Sequence, residues 1–332
     1  MITFQSLQNP RTYAILGTGA LGGFYGARLQ QAGIEVHFLL RSDYEQVRQQ
    51  GLTLESPDGN VTLPQVYAYR NVCDMPPCDV VIVALKTTQN HLLPDLLPPV
   101  LKDNGVVLVL QNGLGIEVEV AKIVGSDRVV GGLCFLCSNK IAPGHIRHLD
   151  YKQITLGDYG IETNGESYSP CGVTERMQQI ATDFERAGIP IDCAEDLFIA
   201  RWKKLVWNIP FNGLSVVLNA TTHEMMADDQ TRTLAEKLME EVVLGAAACV
   251  RAIDPSSTRA VPPHFIQTML EYTAKMTPYR TSMKLDYDDR RPLETEAILG
   301  NPLRMAKQAG VELPRIEMLY QQLKFLGARN QV

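Results

Sequence analysis

At 332 residues the chain is longer than one small core requires and divides most naturally into two domains. A formal net charge of -6, with acidic and basic residues interspersed, excludes a global attraction to nucleic acid or to an anionic membrane surface, so an anionic ligand must be held by local groups. The polar stretch 1–10 is unlike a signal peptide, no later apolar run is long enough to span a bilayer, and seven cysteines fit reduced thiols better than a disulfide framework, so a cytoplasmic location is expected.

Tyr13-Ala-Ile-Leu16 is a short apolar run that leads into Gly17-Thr18-Gly19-Ala20-Leu21-Gly22, a helix-like stretch at 24–32 stopped by Gly33, and a strand at 35–40. Strand, glycine turn, helix and strand follow in the order of a dinucleotide fold. Gly17 permits the tight turn, Gly19 lets backbone amides approach a pyrophosphate, and Gly22 lets helix and strand pack closely; Thr18, Ala20 and Leu21 complete this candidate cofactor site. After the second strand an NAD site usually places Asp or Glu against the ribose hydroxyls. Here the chain reads Arg41-Ser42, and Asp43 falls past the expected place. Arg41 can pair with a 2′-phosphate, which makes NADP(H) the expected cofactor.

Residues 52–55 and 61–63, joined by Pro57-Asp58-Gly59, read as a hairpin with a further strand at 66–69, together a small antiparallel insertion. Residues 80–85 read as a buried parallel strand ending in Lys86 before a helix, and 106–110 as another ending in Gln111-Asn112-Gly113-Leu114-Gly115. Ligands of open parallel sheets sit beyond the carboxyl ends of strands, which makes Lys86 and Asn112 candidates. Strands are also expected at 129–137, 145–148 and 153–156. Cys134 and Cys137 have C-x-x-C spacing, but they lie in an apolar strand-like run and read as core; His145 and His148, three apart in a strand, fall on opposite faces. No metal site is expected. A polar Gly/Ser-rich loop at 157–171, a helix at 174–187 and a strand at 189–193 close a first domain, 1–195, read as an NADP-binding Rossmann domain.

From 196 to 332 only helical patterns occur, at 197–218, 222–227, 231–252, 262–275, 291–309 and 314–326, giving an all-helical second domain for substrate and catalysis. Lys204, Asn208 and Asn212 recur at intervals of four among Trp202, Leu205, Val206, Trp207, Ile209 and Phe211, which stacks them on one helix face. An ammonium and two amides there are costly to bury without partners and mark a site. The same residues also read as a boundary lysine with its head in water and asparagines capping nearby loops. Pro210 is expected to interrupt and bend this helix. Tyr279-Arg-Thr-Ser282-Met283 reads as a loop facing another element, and Glu294 sits early in the next helix, where the dipole favours a carboxylate. The small patch Gly245-Ala-Ala-Ala-Cys249 would let another helix approach closely, and such a long helix can pack internally or support a homodimer.

With the glycine turn, Leu85-Lys86, Asn112-Gly113, Lys204-x-x-x-Asn208-x-x-x-Asn212, Ser282-Met283 and Glu294 in this order, the chain resembles the ketopantoate reductases, or 2-dehydropantoate 2-reductases, nearly end to end. The resemblance implies an N-terminal Rossmann domain, a helical C-terminal domain and NADPH-dependent reduction of a small-molecule 2-keto acid, ketopantoate to pantoate on the way to coenzyme A. It makes Lys204 the general acid and Glu294 the group that orients substrate and lysine. Asn112 would contact the nicotinamide end and the substrate, Lys86 would lie on the cofactor side, and Asn208, Asn212 and Ser282 would hold substrate oxygens. Developing alkoxide charge calls for such a cation and such donors, while the nicotinamide supplies hydride. The chain departs from the family pattern at Tyr279, where many members carry asparagine, so the accepted keto acid is expected to depend on that position. A β-hydroxyacid dehydrogenase-like oxidoreductase acting on another small acid, which pairs a lysine with an asparagine four residues on, and a non-catalytic NADP(H)-binding sensor are the alternative readings.

Overall fold

The structure is a computed structural model that describes residues 10–160 and 170–330; residues 161–169 of the expected polar loop, and the start of the chain before Pro10, lie outside the described residues. The chain forms two compact units. The first comprises the residues through Gln111, Glu117–Gly160 and Cys171–Glu195, and the second includes Asn112–Ile116 and the chain from Asp196 onward.

The first part of the chain runs β1 (Tyr13–Leu16), α1 (Ala20–Gln31), β2 (Val36–Leu39), α2 (Tyr44–Gln50), β3 (Leu52–Glu55), β4 (Val61–Leu63), β5 (Tyr67–Tyr69), β6 (Cys78–Val83), α3 (Leu93–Leu96), β7 (Leu101–Val109) and α4 (Ile116–Val124). It continues through β8 (Val129–Cys134), β9 (Cys137–Ala142), β10 (His145–Asp150), β11 (Ile154–Asp158), α5 (Glu175–Arg186) and β12 (Ile191–Ala194). Among the described residues eight strands form one sheet in the order β12-β11-β8-β7-β6-β1-β2-β5. Neighbours are parallel except β8 and β11. Every residue of β1 is buried, as a strand covered on both faces requires. From β1 the sheet continues to β2 on one side and to β6 on the other, which puts its switch point at the end of β1.

A second sheet, β4-β3-β10-β9, packs on α1. Residues 66–69 do not join this insertion as expected. Instead β5 adds to the edge of the large sheet in parallel with β2, where Tyr67 stacks on His37 at 5.0 Å between ring centroids and the Tyr69 hydroxyl lies 3.0 Å from His37 Nδ1. Aromatic contacts across the strands thus decide a pairing that the nearby hairpin obscures. The apolar stretch 129–137 is likewise two strands rather than one. Cys134 ends β8 in the large sheet and Cys137 opens β9 in the small one, both buried. The helix expected after Lys86 is a succession of short turns at Thr87–Leu92, α3 and Pro98–Val100, because Pro94, Pro98 and Pro99 have no amide hydrogen to extend a ladder.

The second unit is helical: α6 (Leu197–Val217), α7 (Thr222–Ala227), α8 (Asp229–Ile253), α9 (Phe265–Lys275), α10 (Ser282–Asp288), a π-helical turn at Glu296–Gly300, α11 (Asn301–Gln308) and α12 (Pro314–Asn330). Its core surrounds α6, with Trp202, Leu205, Val206, Ile209 and Phe211 each at most 1% exposed, and it also takes in Leu114. Asp196 caps α6 by accepting the Ile199 amide at 3.1 Å, and its other oxygen meets Arg259 at 3.1 Å. Gly245 lets α8 approach α6, since a Cβ there would lie 3.3 Å from the Trp202 ring. No helix of the described residues is long and apolar enough to cross a membrane.

Three local expectations change. α6 runs through Pro210 without interruption, because proline removes one hydrogen bond while its apolar neighbours remain packed. Only 279–281 precede a helix as loop: Ser282 and Met283 are the first residues of α10, with Thr281 Oγ1 accepting the Lys284 amide at 3.3 Å. Glu294 lies just ahead of its helix rather than inside it, and that helix opens with the π-turn.

Candidate active site

The first group of site residues gathers at the carboxyl ends of β1, β2 and β6. Gly17 has φ +101°, and a Cβ on it would lie 2.6 Å from the Leu85 amide nitrogen, so the turn rests on the Ala84–Leu85 peptide. A Cβ on Gly22 would come within 2.3 Å of the Gly17 carbonyl, which closes α1 onto β1. Gly19 differs. Its φ of -92° is open to any residue, and no atom of the described residues lies within 4 Å of the place a Cβ would take. Neither backbone conformation nor packing demands glycine there, and the open space fits a ligand that approaches the backbone closely.

Gly19 is the N-cap of α1, and among the described residues no side chain caps this helix and no acidic residue stands in its first turn. Its first amides and dipole therefore suit an anion such as a pyrophosphate. Ala20 and Leu21, half-buried, begin the helix, while the Thr18 hydroxyl donates to the Leu39 carbonyl at 3.0 Å and ties the turn to β2.

Arg41 is exposed just beyond β2. Asp43, by contrast, is 3% exposed. Both of its oxygens lie 2.9 Å from Lys140 Nζ, and it accepts from the Gly144 amide at 3.1 Å and Ser42 Oγ at 2.8 Å. Burial pushes this carboxyl up, but the hydrogen bonds from Lys140, Ser42 and Gly144 outweigh it and hold the pKa below its ordinary value. The carboxylate nearest the end of β2 is thus committed to β9 and the turn after it. Lys86 is exposed at the start of the turn Thr87–Leu92. Its loop is tied to the end of β7 by Gln111, whose Nε2 donates to the Leu85 carbonyl at 2.9 Å and to Asn90 Oδ1 at 2.7 Å.

The second group lies in the helical unit. Lys204 is half-buried on α6, while Asn208 and Asn212, one and two turns on, are each 2% exposed. Asn208 Nδ2 donates to Asn112 Oδ1 at 3.4 Å, and Asn212 Oδ1 accepts the Met283 amide at 3.4 Å, which brings the first turn of α10, with Ser282, to α6. Glu294, 6% exposed, belongs to the same unit on the segment before the π-turn. Asn112 was expected with the sheet, yet it belongs with the helices, because Leu114 is buried in their core.

Two buried hydroxyls were missed by sequence reasoning. Ser215 Oγ donates to the Asn212 carbonyl at 3.0 Å and lies 2.8 Å from Thr281 Oγ1. Thr281 carries an N-cap signal ahead of a short helix, but nothing in the local sequence links Ser215 to it. His145, half-buried, pairs with Glu55 at 2.8 Å, while His148 is buried against Ser56 Oγ at 2.8 Å, so both serve packing around β10.

A dinucleotide-type sheet and glycine turn, followed by a helical unit bearing a lysine and amides, define a two-part oxidoreductase. Residues 13–160 match the family model described as Ketopantoate reductase PanE/ApbA, and 196–327 match its C-terminal counterpart. The chain is similar to the 2-dehydropantoate 2-reductase of Nostoc sp., with 64% identity over 97% of each chain. It is also similar to the crystal structure of 2-dehydropantoate 2-reductase from Geobacter metallireducens GS-15, at 40% identity and TM-score 0.87 over 95% of this chain and 99% of that one. The corresponding structure from Methylococcus capsulatus gives 31% identity and TM-score 0.83 over 97% and 98%. The chain belongs to the ketopantoate reductase family.

Proposed function

We propose that this protein reduces ketopantoate to pantoate with NADPH. The observation that carries this reading is the joining of Asn112 to Asn208 on the same α6 row as Lys204 and Asn212, which gathers donors and a cation in one unit. Likeness to the Nostoc 2-dehydropantoate 2-reductase along nearly the whole of both chains supports the substrate.

NADPH, when bound, supplies the hydride. Gly17, Thr18, Gly19, Ala20, Leu21 and Gly22 hold its pyrophosphate through backbone amides at the start of α1, and Arg41 holds the 2′-phosphate. Commitment of Asp43 to Lys140 supports the phosphorylated cofactor, because the carboxylate that follows β2 is already paired rather than turned to ribose hydroxyls. Lys86 and Asn112 serve the nicotinamide end.

The Lys204 ammonium donates a proton to the keto oxygen as negative charge develops on it. Asn208, Asn212 and Ser282 hold the remaining substrate oxygens, and Glu294 orients the keto acid and the lysine. An amide suits these positions because it can both donate and accept, matching a substrate that carries hydroxyl and carboxylate groups. Purified protein supplied with NADPH and a panel of branched 2-keto acids tests the reading: oxidation of the cofactor is expected to be fastest with ketopantoate, and a different preferred acid would reassign the substrate.

A further inference from the structure

In the π-turn at Glu296–Gly300 the Ala297 carbonyl takes a donor from outside the helix. In its i to i+5 register the Asn301 amide bonds the Glu296 carbonyl, so the Ala297 carbonyl is next in line for residue 302. That residue is Pro302, which has no amide hydrogen. The Ala297 carbonyl accepts instead from the Leu114 amide at 2.9 Å.

The other backbone group of Leu114 is held from the same segment, since Asn301 Nδ2 donates to the Leu114 carbonyl at 2.6 Å. The orientation of that side-chain amide is fixed from behind, because Arg304 donates to Asn301 Oδ1 at 2.6 Å and to Glu296 Oε2 at 3.0 Å. Gly113 makes the close approach possible: its φ is +114°, and a Cβ would fall 2.5 Å from the Ala297 carbonyl oxygen. Both backbone groups of Leu114 and the packing of Gly113 are thus governed by 297–301, two residues from Asn112 on one side and three from Glu294 on the other.

We infer that Asn301 is a positioning residue for the reduction: through Leu114 it sets where Asn112 stands relative to Asn208 and to the segment bearing Glu294. Its side chain contacts Leu114 and Arg304. Its effect passes through the placement of the Asn112 amide, where small displacements are costly to a reaction that depends on alignment. π-turns often occur where a helix has been adapted to a function, and this one supplies both the acceptor and the register for the clamp. The inference rests on the role proposed above for Asn112.

The test is a double-mutant cycle on ketopantoate reduction with Asn112→Ala, Asn301→Ala and the pair, with kcat, KM and thermal midpoint measured for each. Asn301→Ala is expected to lower kcat about tenfold, and the double variant is expected to be no slower than Asn112→Ala alone. Losses that multiply would overturn the inference and leave the assigned activity standing, since a merely structural defect adds its cost independently of Asn112. Normal turnover by Asn112→Ala would overturn both the inference and the role given to that residue. Where Asn301→Ala fails to fold, Asn301→Asp keeps the size of the side chain but turns the donor facing Leu114 into an acceptor. The same loss of kcat is expected there, and a normal kcat would overturn the inference.

Discussion

The Asn208 side-chain amide donates to Asn112 Oδ1 at 3.4 Å, so a loop that leaves a parallel strand is held by a helix almost a hundred residues later. One turn before Asn208 on that helix stands Lys204, and one turn after it Asn212 receives the first turn of α10. The polar row is thereby supplied with the partners that a buried amide demands.

Removing the ammonium tests the chemistry of this row. Lys204→Ala is expected to reduce kcat by about a hundredfold or more, the usual contribution of a general acid, while NADPH affinity measured by calorimetry stays near that of the wild type. Equal losses in binding and turnover would point to a binding role instead.

The glycines of the first turn should separate packing from ligand binding. Gly19→Ala meets no atom of the described residues within 4 Å, so it is expected to fold with an unchanged thermal midpoint and to bind NADPH more weakly. Gly22→Ala places a methyl group 2.3 Å from the Gly17 carbonyl and is expected to lose about 1–3 kcal/mol of stability to overpacking. Denaturant unfolding paired with cofactor titration distinguishes the two.

Cofactor choice is expected to follow Arg41. Arg41→Ala should raise KM for NADPH by about tenfold, in keeping with loss of one charge-assisted contact, and leave KM for NADH little changed. A parallel rise for both cofactors would place Arg41 outside 2′-phosphate recognition.

Glu296 links the π-turn to α12 and gives a pH prediction. Burial pushes its carboxyl up, but hydrogen bonds from Lys324, Tyr320 and Arg304 overcome this and hold it at about 2, against an ordinary 4.5. A carboxyl depressed on folding stabilises above its unfolded pKa, and that contribution fades as pH falls toward the folded value. Glu296→Gln is therefore expected to be less stable than the wild type at neutral pH, with the difference shrinking as pH drops below about 4.5. Half-exposure of the side chain keeps the effect modest. Urea midpoints measured against pH give the comparison, and a gap that widens in acid would contradict the assignment.

Patterns with a local cause were readable from the sequence. The glycine turn, the buried parallel strands and the four-residue spacing on α6 each follow from backbone geometry or periodicity, and the structure has them at or near the expected residues. What escaped reading depends on partners distant in the chain. β5 joins β2 because of His37, α6 passes Pro210 because its neighbours are packed, and the Asn112 loop belongs with the helices because Leu114 and Ala297 hold it there. The π-turn had no visible signal beyond Pro302, whose missing amide acquires meaning only beside Leu114.

The most direct measurement is cofactor oxidation by the purified protein with NADPH and ketopantoate, beside a calorimetric titration of NADPH in the same preparation. Tight NADPH binding with turnover on ketopantoate that collapses in Lys204→Ala is the expected result. A preparation that binds NADPH yet turns over neither ketopantoate nor any other branched 2-keto acid would contradict the proposed activity.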